Sequence, residues 1–457
     1  MNEGNAKSTK EVSHALLWKL TSVLIITLLL LIPTTLIKSI IHERQATQDE
    51  AVHEISEKWG REQTISGPVL SIPFTYSEEI IGKDDVKKRI KHTRHISILP
   101  ESLHIDGVIN PQTLYRGIFE VAVYDSKLNL TGSFGPFELD TKFTQIDEIL
   151  WDQATLSIGI SDLRGIQNQI DVIFNDQTYN FNPGTPFIDK VTIPVGISAN
   201  VHAKPVPSSK SLAPTSFNIE IQLKGSQRLY FIPTGKTTDV NIGSTWKSPS
   251  FGGNFLPLER NISNQGFNAR WTITHLNRNF PHSWVSGGPA LQNSSFGIDL
   301  YVPVSNYQKA ERSIKYAILF IGLTFIVFFF VEIMNKKPVH PIQYILIGLG
   351  LCLFYTLLIS ISEHSSFNFA YGVSSIMTIG LVSMYTKAVL KNKNLLFMMS
   401  ILLTTLYSFI FILIQLQDFS LLMGSLGLFL ILSIIMYYSR RIDWYQINRA
   451  LKIEYDS

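Results

Sequence analysis

The chain has 457 residues, of which 45% are hydrophobic, and its formal net charge is only +3. A small net charge carried by dispersed basic residues argues against a nucleic-acid partner. The single cysteine, Cys352, excludes an internal disulfide and a thiolate metal cluster.

The first predicted element is an apolar segment at residues 16–41, which follows a polar N-terminus. Its core, residues 20–37, is longer than the apolar region of a signal peptide, and no small-residue cleavage pattern follows it. We therefore predict an uncleaved transmembrane signal anchor over residues 17–41. Residues 1–16 would remain in the cytoplasm.

The segment after the anchor is charged and lacks glycine and proline up to Trp59. Its apolar residues recur at helical spacing, so the first helix is expected to continue outward as a stalk over residues 43–59. Pro33 is expected to kink this helix. Gly60 would end the stalk, and Gly67-Pro68 would turn the chain.

The middle of the chain has the pattern of β-strands, with turn clusters rich in glycine, proline and asparagine between short apolar runs. We predict a large extracytoplasmic antiparallel β-sandwich over residues 42–313, or two fused sandwiches that meet at the Pro- and Ser-rich segment 204–214. The runs of alternating or β-branched residues lie at 69–74, 93–99, 103–109, 117–124, 154–160, 170–174, 190–195, 217–223, 228–232, 238–242, 269–275 and 295–301.

The C-terminal part is predicted to be a five-helix transmembrane bundle over residues 314–438, followed by a cytoplasmic tail at 439–457. Each apolar run matches the ~20 residues that a helix needs to cross a hydrocarbon core of ~30 Å. With the signal anchor, the chain would have six transmembrane helices. The five runs lie at 316–334, 342–361, 367–385, 395–416 and 419–438.

Basic residues in the gaps between these runs alternate by side, which predicts the orientation. The gaps 362–366 and 417–418 contain no lysine or arginine. Because positive residues are retained in the cytoplasm, both termini are expected inside and residues 42–313 in the periplasm of a multi-pass inner-membrane protein. The basic residues on the predicted inner side are Lys336, Lys337, Lys387, Lys391, Lys393, Arg440, Arg441, Arg449 and Lys452.

Short signatures in both the β-rich region and the bundle together resemble the CreD family of bacterial inner-membrane proteins. The resemblance covers nearly the whole chain apart from the first dozen residues. The signatures include Glu43-Arg44-Gln45, Trp59-Gly60, Gly67-Pro68-Val69-Leu70, Asp162-Leu163-Arg164-Gly165, Ala269-Arg270-Trp271, Glu311-Arg312, Ser362-Glu363-His364 and Arg440-Arg441-Ile442-Asp443-Trp444-Tyr445.

This resemblance implies a protein of the cell-envelope stress response that contributes to envelope integrity. The family is associated in some bacteria with a carbon-source-responsive two-component regulon and with antibiotic or colicin tolerance. The resemblance implies no enzymatic activity and no cofactor.

Glu363 and His364 are the candidate functional residues of the bundle, at the predicted outer end of its second run. A carboxylate and an imidazole at this depth could relay protons or bind a cation. The alternative is that they simply end a helix in the headgroup region. Glu332 is expected to pair locally with Lys336 and Lys337.

The segment 83–95 is the most basic stretch of the predicted outer domain. It could face anionic headgroups, or it could be a solvated edge strand that its lysines protect. His92 and His95 are a weak metal signal because no third ligand lies nearby. No catalytic, cofactor-binding or metal-binding residue is predicted, since the chain contains none of the familiar hydrolase, nucleotide or metalloprotease motifs.

Three classes of function follow from this organisation. The first is a non-enzymatic envelope protein, anchored in the lipid bilayer, whose outer β-domain binds an envelope protein, a lipid or a cell-wall component. The alternative is a transporter or channel formed by the helix bundle, although the runs offer little intramembrane charge. The third is a hydrolase on the β-domain with a dispersed site.

Overall fold

The computed structural model describes residues 18–81, 87–136, 146–206, 211–300, 306–335, 339–390, 393–416 and 419–440. The chain divides into two compact units. The helical unit contains residues up to 48 and from 304 onward, and the β-domain contains residues 49–303.

Every apolar run predicted from the sequence forms a helix. Helices α1, α4, α5 and α6 are long and apolar enough to cross a membrane, and α2 with α3 forms a pair bent by 43° that could make a fifth span. Helix α7 contributes a shorter apolar helix, Leu422–Tyr437, so six spans stay a prediction. The helices are α1 (Trp18–Trp59), α2 (Asn306–Lys315), α3 (Ala317–Asn335), α4 (Pro341–Ser362), α5 (Phe367–Leu390), α6 (Lys393–Gln415) and α7 (Ser420–Ser439).

Helix α1 continues beyond the apolar segment to Trp59, so the predicted helical extension over residues 43–59 is confirmed. The helix is irregular at Leu30, within the turn that precedes Pro33. Proline lacks the backbone N–H and its ring crowds the carbonyl one turn earlier, which explains the irregularity at this place.

An aromatic cluster joins four helices of the helical unit. The ring centroid of Tyr407 on α6 lies 4.3 Å from Phe320 on α3, 4.8 Å from Phe354 on α4 and 6.4 Å from Tyr371 on α5. All three contacts are edge-to-face, a geometry that contributes about 1 kcal/mol per pair beyond the buried area. Tyr407 therefore lies at the centre of this unit.

The β-domain is built from two sheets. Their strands are β1 (Gln63–Ile81), β2 (Lys87–Ile98), β3 (Ser102–Arg116), β4 (Phe119–Phe134), β5 (Ile146–Ile149), β6 (Ala154–Ile160), β7 (Asp171–Phe174), β8 (Gln177–Asn180), β9 (Asn182–Pro183), β10 (Gly196–Val201), β11 (Thr215–Ser226), β12 (Arg228–Phe231), β13 (Thr237–Ser244), β14 (Pro249–Gly253), β15 (Glu259–Ser263), β16 (Gly266–Thr274), β17 (Ser283–Val285) and β18 (Phe296–Leu300).

The larger sheet has ten strands, with the central order β14-β18-β12-β1-β6-β10-β9. Strands β2 and β5 also pair with β1, and β17 pairs with β2. The smaller sheet has eight strands in the order β15-β16-β13-β3-β4-β11-β7-β8. Inward side chains from both sheets belong to one hydrophobic cluster, which includes Phe74 and Phe231 of the larger sheet and Phe134 and Trp271 of the smaller one.

The sheets are mainly antiparallel, as predicted, but β1 pairs with β12 and β3 with β13 in parallel. The segment 204–214 is not a boundary between two sandwiches, because both sheets take strands from either side of it and share one core. Parallel pairing needs a long crossover, which leaves no local signal in the sequence.

Eleven of the twelve predicted strand runs lie within strands or extend past them by at most two residues at an end, and the exception is residues 190–195. Residue 301, the last of the final run, lies outside the described residues. There the carbonyl of Asp189 accepts hydrogen bonds from the backbone N–H groups of Thr192 and Ile193, and the Asp189 carboxylate accepts one from Val191. An aspartate that bonds the backbone two residues ahead favours a turn over a strand. Pro194 also lacks the N–H that a ladder would need.

Candidate functional site

The candidate residues Glu363 and His364 have different surroundings. Glu363 follows the end of α4, where its Oε1 accepts a hydrogen bond of 3.0 Å from the Tyr307 hydroxyl and lies 3.5 Å from Nε of Arg44. His364 is exposed. The structure thus brings Glu363 into contact with α1 and α2. The predicted role of Glu363 and His364 in relaying protons or binding a cation stays a prediction.

Glu332 has a partner that local sequence reasoning missed. Its carboxylate is buried, forms an ion pair with Lys19 of α1, and accepts hydrogen bonds of 3.0 Å from the Val339 N–H and the Tyr344 hydroxyl. The predicted partners Lys336 and Lys337 lie outside the described residues. Lys19 could not be foreseen as the partner because it is so distant in sequence.

The ion pairs Lys19–Glu332 and Arg44–Glu363 hold α1 against the bundle at two positions along its axis. Lys19 and Arg44 are separated by about 37 Å along a helix that rises 1.5 Å per residue, slightly more than a hydrocarbon core of ~30 Å. The start of α1 therefore lies level with the end of α3, and Arg44 lies level with the end of α4. Residues 19 and 332 thus lie at one end of the helical unit and residues 44 and 363 at the other, and which end faces the cytoplasm stays a prediction.

The exposed face of the eight-stranded sheet is the broadest candidate surface of the β-domain. Side chains alternate along each strand, so Leu103 and Ile105 of β3 are buried in the core, whereas His104 and Asp106 point to solvent. The same alternation in the neighbouring strands gives one solvated side. We name the exposed side chains of this face the polar platform.

The polar platform contains two adjacent rows that run across the strands. The first row has six polar residues, one from each of the paired strands β15, β16, β13, β3, β4 and β11. The second row has seven residues, one from each of the paired strands β16, β13, β3, β4, β11, β7 and β8. The first row is Glu259, Arg270, Asn241, Asp106, Asn129 and Glu220, and the second is Thr272, Asp239, His104, Thr131, Asn218, Ile173 and Thr178.

Hydrogen bonds within the platform fix several of its side chains. The Thr272 hydroxyl donates to Oδ1 of Asp239 at 2.6 Å, and Nδ1 of His104 lies 3.3 Å from the other oxygen of that carboxylate. Asn241 donates from Nδ2 to Oδ1 of Asp106 at 3.3 Å. The carboxylates and amides are therefore held in place before any ligand arrives, which lowers the entropy cost of binding.

Two grooves indent the platform, with volumes of about 410 and 770 Å³. The smaller is lined by residues that include His104, Asp239 and Arg270, and the larger by residues that include Asn129 and Asn218. Both grooves offer carboxylate acceptors together with amides that donate and accept. Such a surface suits a hydrated ligand rich in hydroxyl and amide groups.

Residues 87–95 of the basic segment belong to β2, which pairs with β1, whereas residues 83–86 lie outside the described residues. His92 stacks on Tyr76 with ring centroids 5.4 Å apart, and His95 stacks on Phe187 at 4.2 Å. Two residues that are three apart on a strand point to opposite faces, so these imidazoles cannot share a ligand. Within the described ranges, no group of three or more His, Cys, Asp or Glu could hold a metal ion.

A titratable cluster elsewhere in the β-domain gives a testable pH dependence. Nη2 of Arg278 lies 3.2 Å from Nδ1 of His282, and Nε2 of His282 lies 3.6 Å from Glu101. Burial, followed by the charge of Arg278, lowers the pKa of His282 from 6.5 to about 4. Between these values only the unfolded chain binds the proton, so stability falls as the pH drops below 6.5.

We expect the change His282→Gln to reduce the loss of stability of the β-domain between pH 7 and pH 5 by about 1 kcal/mol, after allowance for solvent screening of a side chain that is 29% exposed. Thermal unfolding of the full chain at several pH values measures this effect. His202→Gln, at an exposed imidazole of the same domain, is the control. Equal pH dependence in wild type and His282→Gln would contradict the assignment.

Comparison with known proteins gives matches along nearly the whole chain. A family model described as "Inner membrane protein CreD" matches residues 15–445. The protein of that name from Escherichia coli (strain K12) is 32% identical over 438 residues, which cover 95% of this chain and 94% of the relative. A crystal structure from Legionella pneumophila, described as that of a nutrient binding protein, covers 41% of this chain and 68% of its own at 9% identity, but its TM-score of 0.23 supports no inference.

Proposed function

Because this chain belongs to the CreD family of inner membrane proteins, we propose that its β-domain lies in the periplasm and binds a component of the cell envelope. The chain has several helices suited to the membrane and one large β-rich domain. In this proposal six helices anchor the protein, both termini are cytoplasmic, and the protein contributes to envelope integrity under stress. Binding is the role of the β-domain.

The polar platform is the single observation that carries this proposal. It spans six strands in its first row and seven in its second, and strands lie about 4.8 Å apart, so it extends over about 24–29 Å. A surface of this breadth suits a polymer better than a single small molecule.

The chemistry of the platform favours the cell wall over lipid. Apolar side chains such as Val108 and Ile173 are isolated among carboxylates, amides and hydroxyls. A lipid-binding surface would bury apolar area, and a contiguous exposed apolar patch would be its usual sign. The glycan and peptide groups of peptidoglycan instead present hydroxyls and amides, which pair with the platform's donors and acceptors.

Co-sedimentation of the full-length detergent-solubilised protein with purified peptidoglycan sacculi tests this proposal. We expect the combined changes Asp106→Ala, Asn129→Ala and Arg270→Ala to weaken binding by at least about tenfold, because each lost hydrogen bond contributes about 0.5–1.5 kcal/mol and roughly 1.4 kcal/mol is a factor of ten.

The matched control replaces three exposed residues at the far end of the β3–β4 hairpin, Gln112, Thr113 and Glu120, with alanine. This variant should bind like the wild type. The proposal is wrong if the wild-type protein does not sediment with sacculi, or if both triple variants lose binding equally.

A further inference from the structure

Helix α5 has a polarity opposite to that of a helix in a soluble protein. The side chains that face the interior of the helical unit are mostly polar, and those that face outward are apolar, including Ile376 and Met384, which are each 73% exposed. The buried polar side chains are Tyr371, Ser374, Ser375, Thr378, Ser383 and Thr386. Outward apolar residues suit contact with lipid, so the polar stripe lies inside the bundle.

Three neighbouring hydroxyls of this stripe lack the usual helix hydrogen bond. Serine and threonine in membrane helices commonly donate to a carbonyl one turn earlier, as Thr386 does to Val382 at 2.7 Å and Ser400 to Leu396 at 2.9 Å. Ser374, Ser375 and Thr378 are 0%, 7% and 2% exposed. Within the described part of the chain the hydroxyls of Ser374 and Ser375 have no hydrogen-bond partner, and that of Thr378 has only the Tyr407 hydroxyl beside it.

A fourth hydroxyl, from the adjacent helix α6, points to the same place. Tyr407 is 2% exposed, and its hydroxyl faces the hydroxyl of Thr378, with which it interacts. The position of the ring is set by its contacts with Phe320 and Phe354. The Tyr371 hydroxyl, which donates to the backbone oxygen of Tyr407 at 2.8 Å, ties the two helices together beside this group.

The location makes dry burial of these hydroxyls costly. Thr378 is near the middle of α5, about 17 Å from either end at 1.5 Å per residue, and thus close to the bilayer midplane. Leaving a buried hydroxyl without a partner costs about 1–3 kcal/mol in a protein interior. Ser374 and Ser375 lack a partner among the described residues, and the facing hydroxyls of Thr378 and Tyr407 still leave one donor and several acceptor positions open. An occupant that satisfies these groups would remove this cost.

The chemistry of the four groups defines that occupant. Serine, threonine and tyrosine hydroxyls each donate one hydrogen bond and accept others, and none carries a formal charge. They would not compensate the desolvation of an ion as a carboxylate would. A small uncharged molecule that both donates and accepts hydrogen bonds fits them.

We propose that Ser374, Ser375, Thr378 and Tyr407 form an intramembrane binding site for small uncharged hydrogen-bonding molecules, with water as the smallest. This site is separate from the polar platform and does not depend on the proposed binding of peptidoglycan. With this site, the helix bundle would admit small polar molecules in addition to anchoring the protein in the membrane.

Cysteine reactivity in native membranes tests the site. In a Cys352→Ala background, Ser375→Cys is nearly isosteric and Thr378→Cys is the second probe, whereas Ile376→Cys on the lipid-facing side of the same helix is the matched control. A methanethiosulfonate reagent reacts with the thiolate, which forms only where water is present. We expect the two site cysteines to react at least about tenfold faster than the control, and equal rates would overturn the proposal.

Removal of one hydroxyl provides a second, independent readout. If the hydroxyls are packed dry, Ser374→Ala removes an unsatisfied group and should leave the Tm unchanged or raise it. If the site is occupied, the same change breaks a hydrogen bond to the occupant and lowers the Tm. An unchanged or higher Tm for Ser374→Ala would overturn the proposal.

Added glycerol distinguishes the two kinds of occupant. Slower labelling of Ser375→Cys as glycerol increases, at unchanged labelling of His364→Cys at an exposed position, would support a site that takes small polyols. Labelling that stays fast in glycerol would support a site that takes water alone.

Discussion

Replacement of Glu332 by alanine is expected to destabilise the helical unit by about 3–5 kcal/mol, the usual cost of removing one partner of a buried ion pair. The Glu332 side chain is 8% exposed and that of Lys19 27%, so the lysine left behind would be partly buried without its counter-charge. The Val339 N–H and the Tyr344 hydroxyl would also lose their acceptors.

Unfolding of the purified protein in mixed detergent, followed by circular dichroism, measures this loss. The control is Glu311→Ala, which removes a one-turn ion pair with Lys315 whose side chain is 60% exposed, and which should cost less than about 1 kcal/mol. Glu332→Gln should be intermediate, since it keeps an acceptor but leaves Lys19 unpaired. Equal stability of Glu332→Ala and Glu311→Ala would show that Glu332 does not tie α1 to the bundle.

Replacement of Asp162 by alanine is expected to destabilise the β-domain by about 3 kcal/mol, because it leaves several donors without acceptors. The Asp162 carboxylate is the acceptor for the Arg61 N–H at 2.9 Å, for the Arg164 N–H at 3.2 Å and for two guanidinium nitrogens of Arg164 at 2.9 Å each. Its backbone is bound on both sides by the buried amide of Gln63.

The contribution of the Asp162 carboxylate to the stability of the β-domain should be lost in acid. Burial alone would raise the pKa of Asp162, but hydrogen bonds from Arg164 and from the backbone of Arg61 and Arg164 hold the pKa below its ordinary 3.8. A carboxyl with a lowered pKa stabilises the fold above the unfolded value, and the contribution fades as the pH falls through the folded value.

Thermal unfolding of Asp162→Ala at neutral pH checks the prediction, with Asp152→Ala at an exposed position as the control. The control should change stability by less than about 0.5 kcal/mol. If both variants have the same Tm as the wild type, the hydrogen bonds of Asp162 do not stabilise the β-domain.

The hydrogen-bond network around Asp162 also gives a structural role to several residues that carry the family resemblance. Gln63 donates to the carbonyl of Lys224 at 3.0 Å as well as to that of Asp162. A Cβ on Gly165 would lie 2.2 Å from the Lys224 carbonyl oxygen, so only glycine fits there. The signature residues Asp162, Arg164 and Gly165 therefore form a structural centre together with Gln63 and Lys224.

Local patterns in the sequence predicted the elements well, since helical runs and alternating strands are properties of neighbouring residues. Phe217 to Leu223 alternates between core and solvent just as its β-branched and polar residues indicate. The turn at residues 190–195 was missed because its apolar residues resemble a strand, whereas Asp189 decides the local hydrogen bonding.

Long-range pairing could not be read from the sequence. Lys19 meets Glu332, and Asp106 lies beside Asn241 in a parallel pair, because tertiary packing fixes these registers. The polar platform follows the same rule. Its individual residues occupy solvent-facing positions that alternation predicts, but the assembly of Glu259, Arg270 and Asn129 into one row requires the strand order.

Placement of the β-domain outside the cytoplasm is what the proposed function needs most, and alkaline phosphatase fusions measure it directly. The enzyme folds actively only after export to an oxidising compartment, where its disulfides form. We predict high activity for a fusion after residue 300 and low activity for a fusion at the C-terminus. Low activity after residue 300 with high activity at the C-terminus would place the polar platform in the cytoplasm and contradict a role in binding the cell wall.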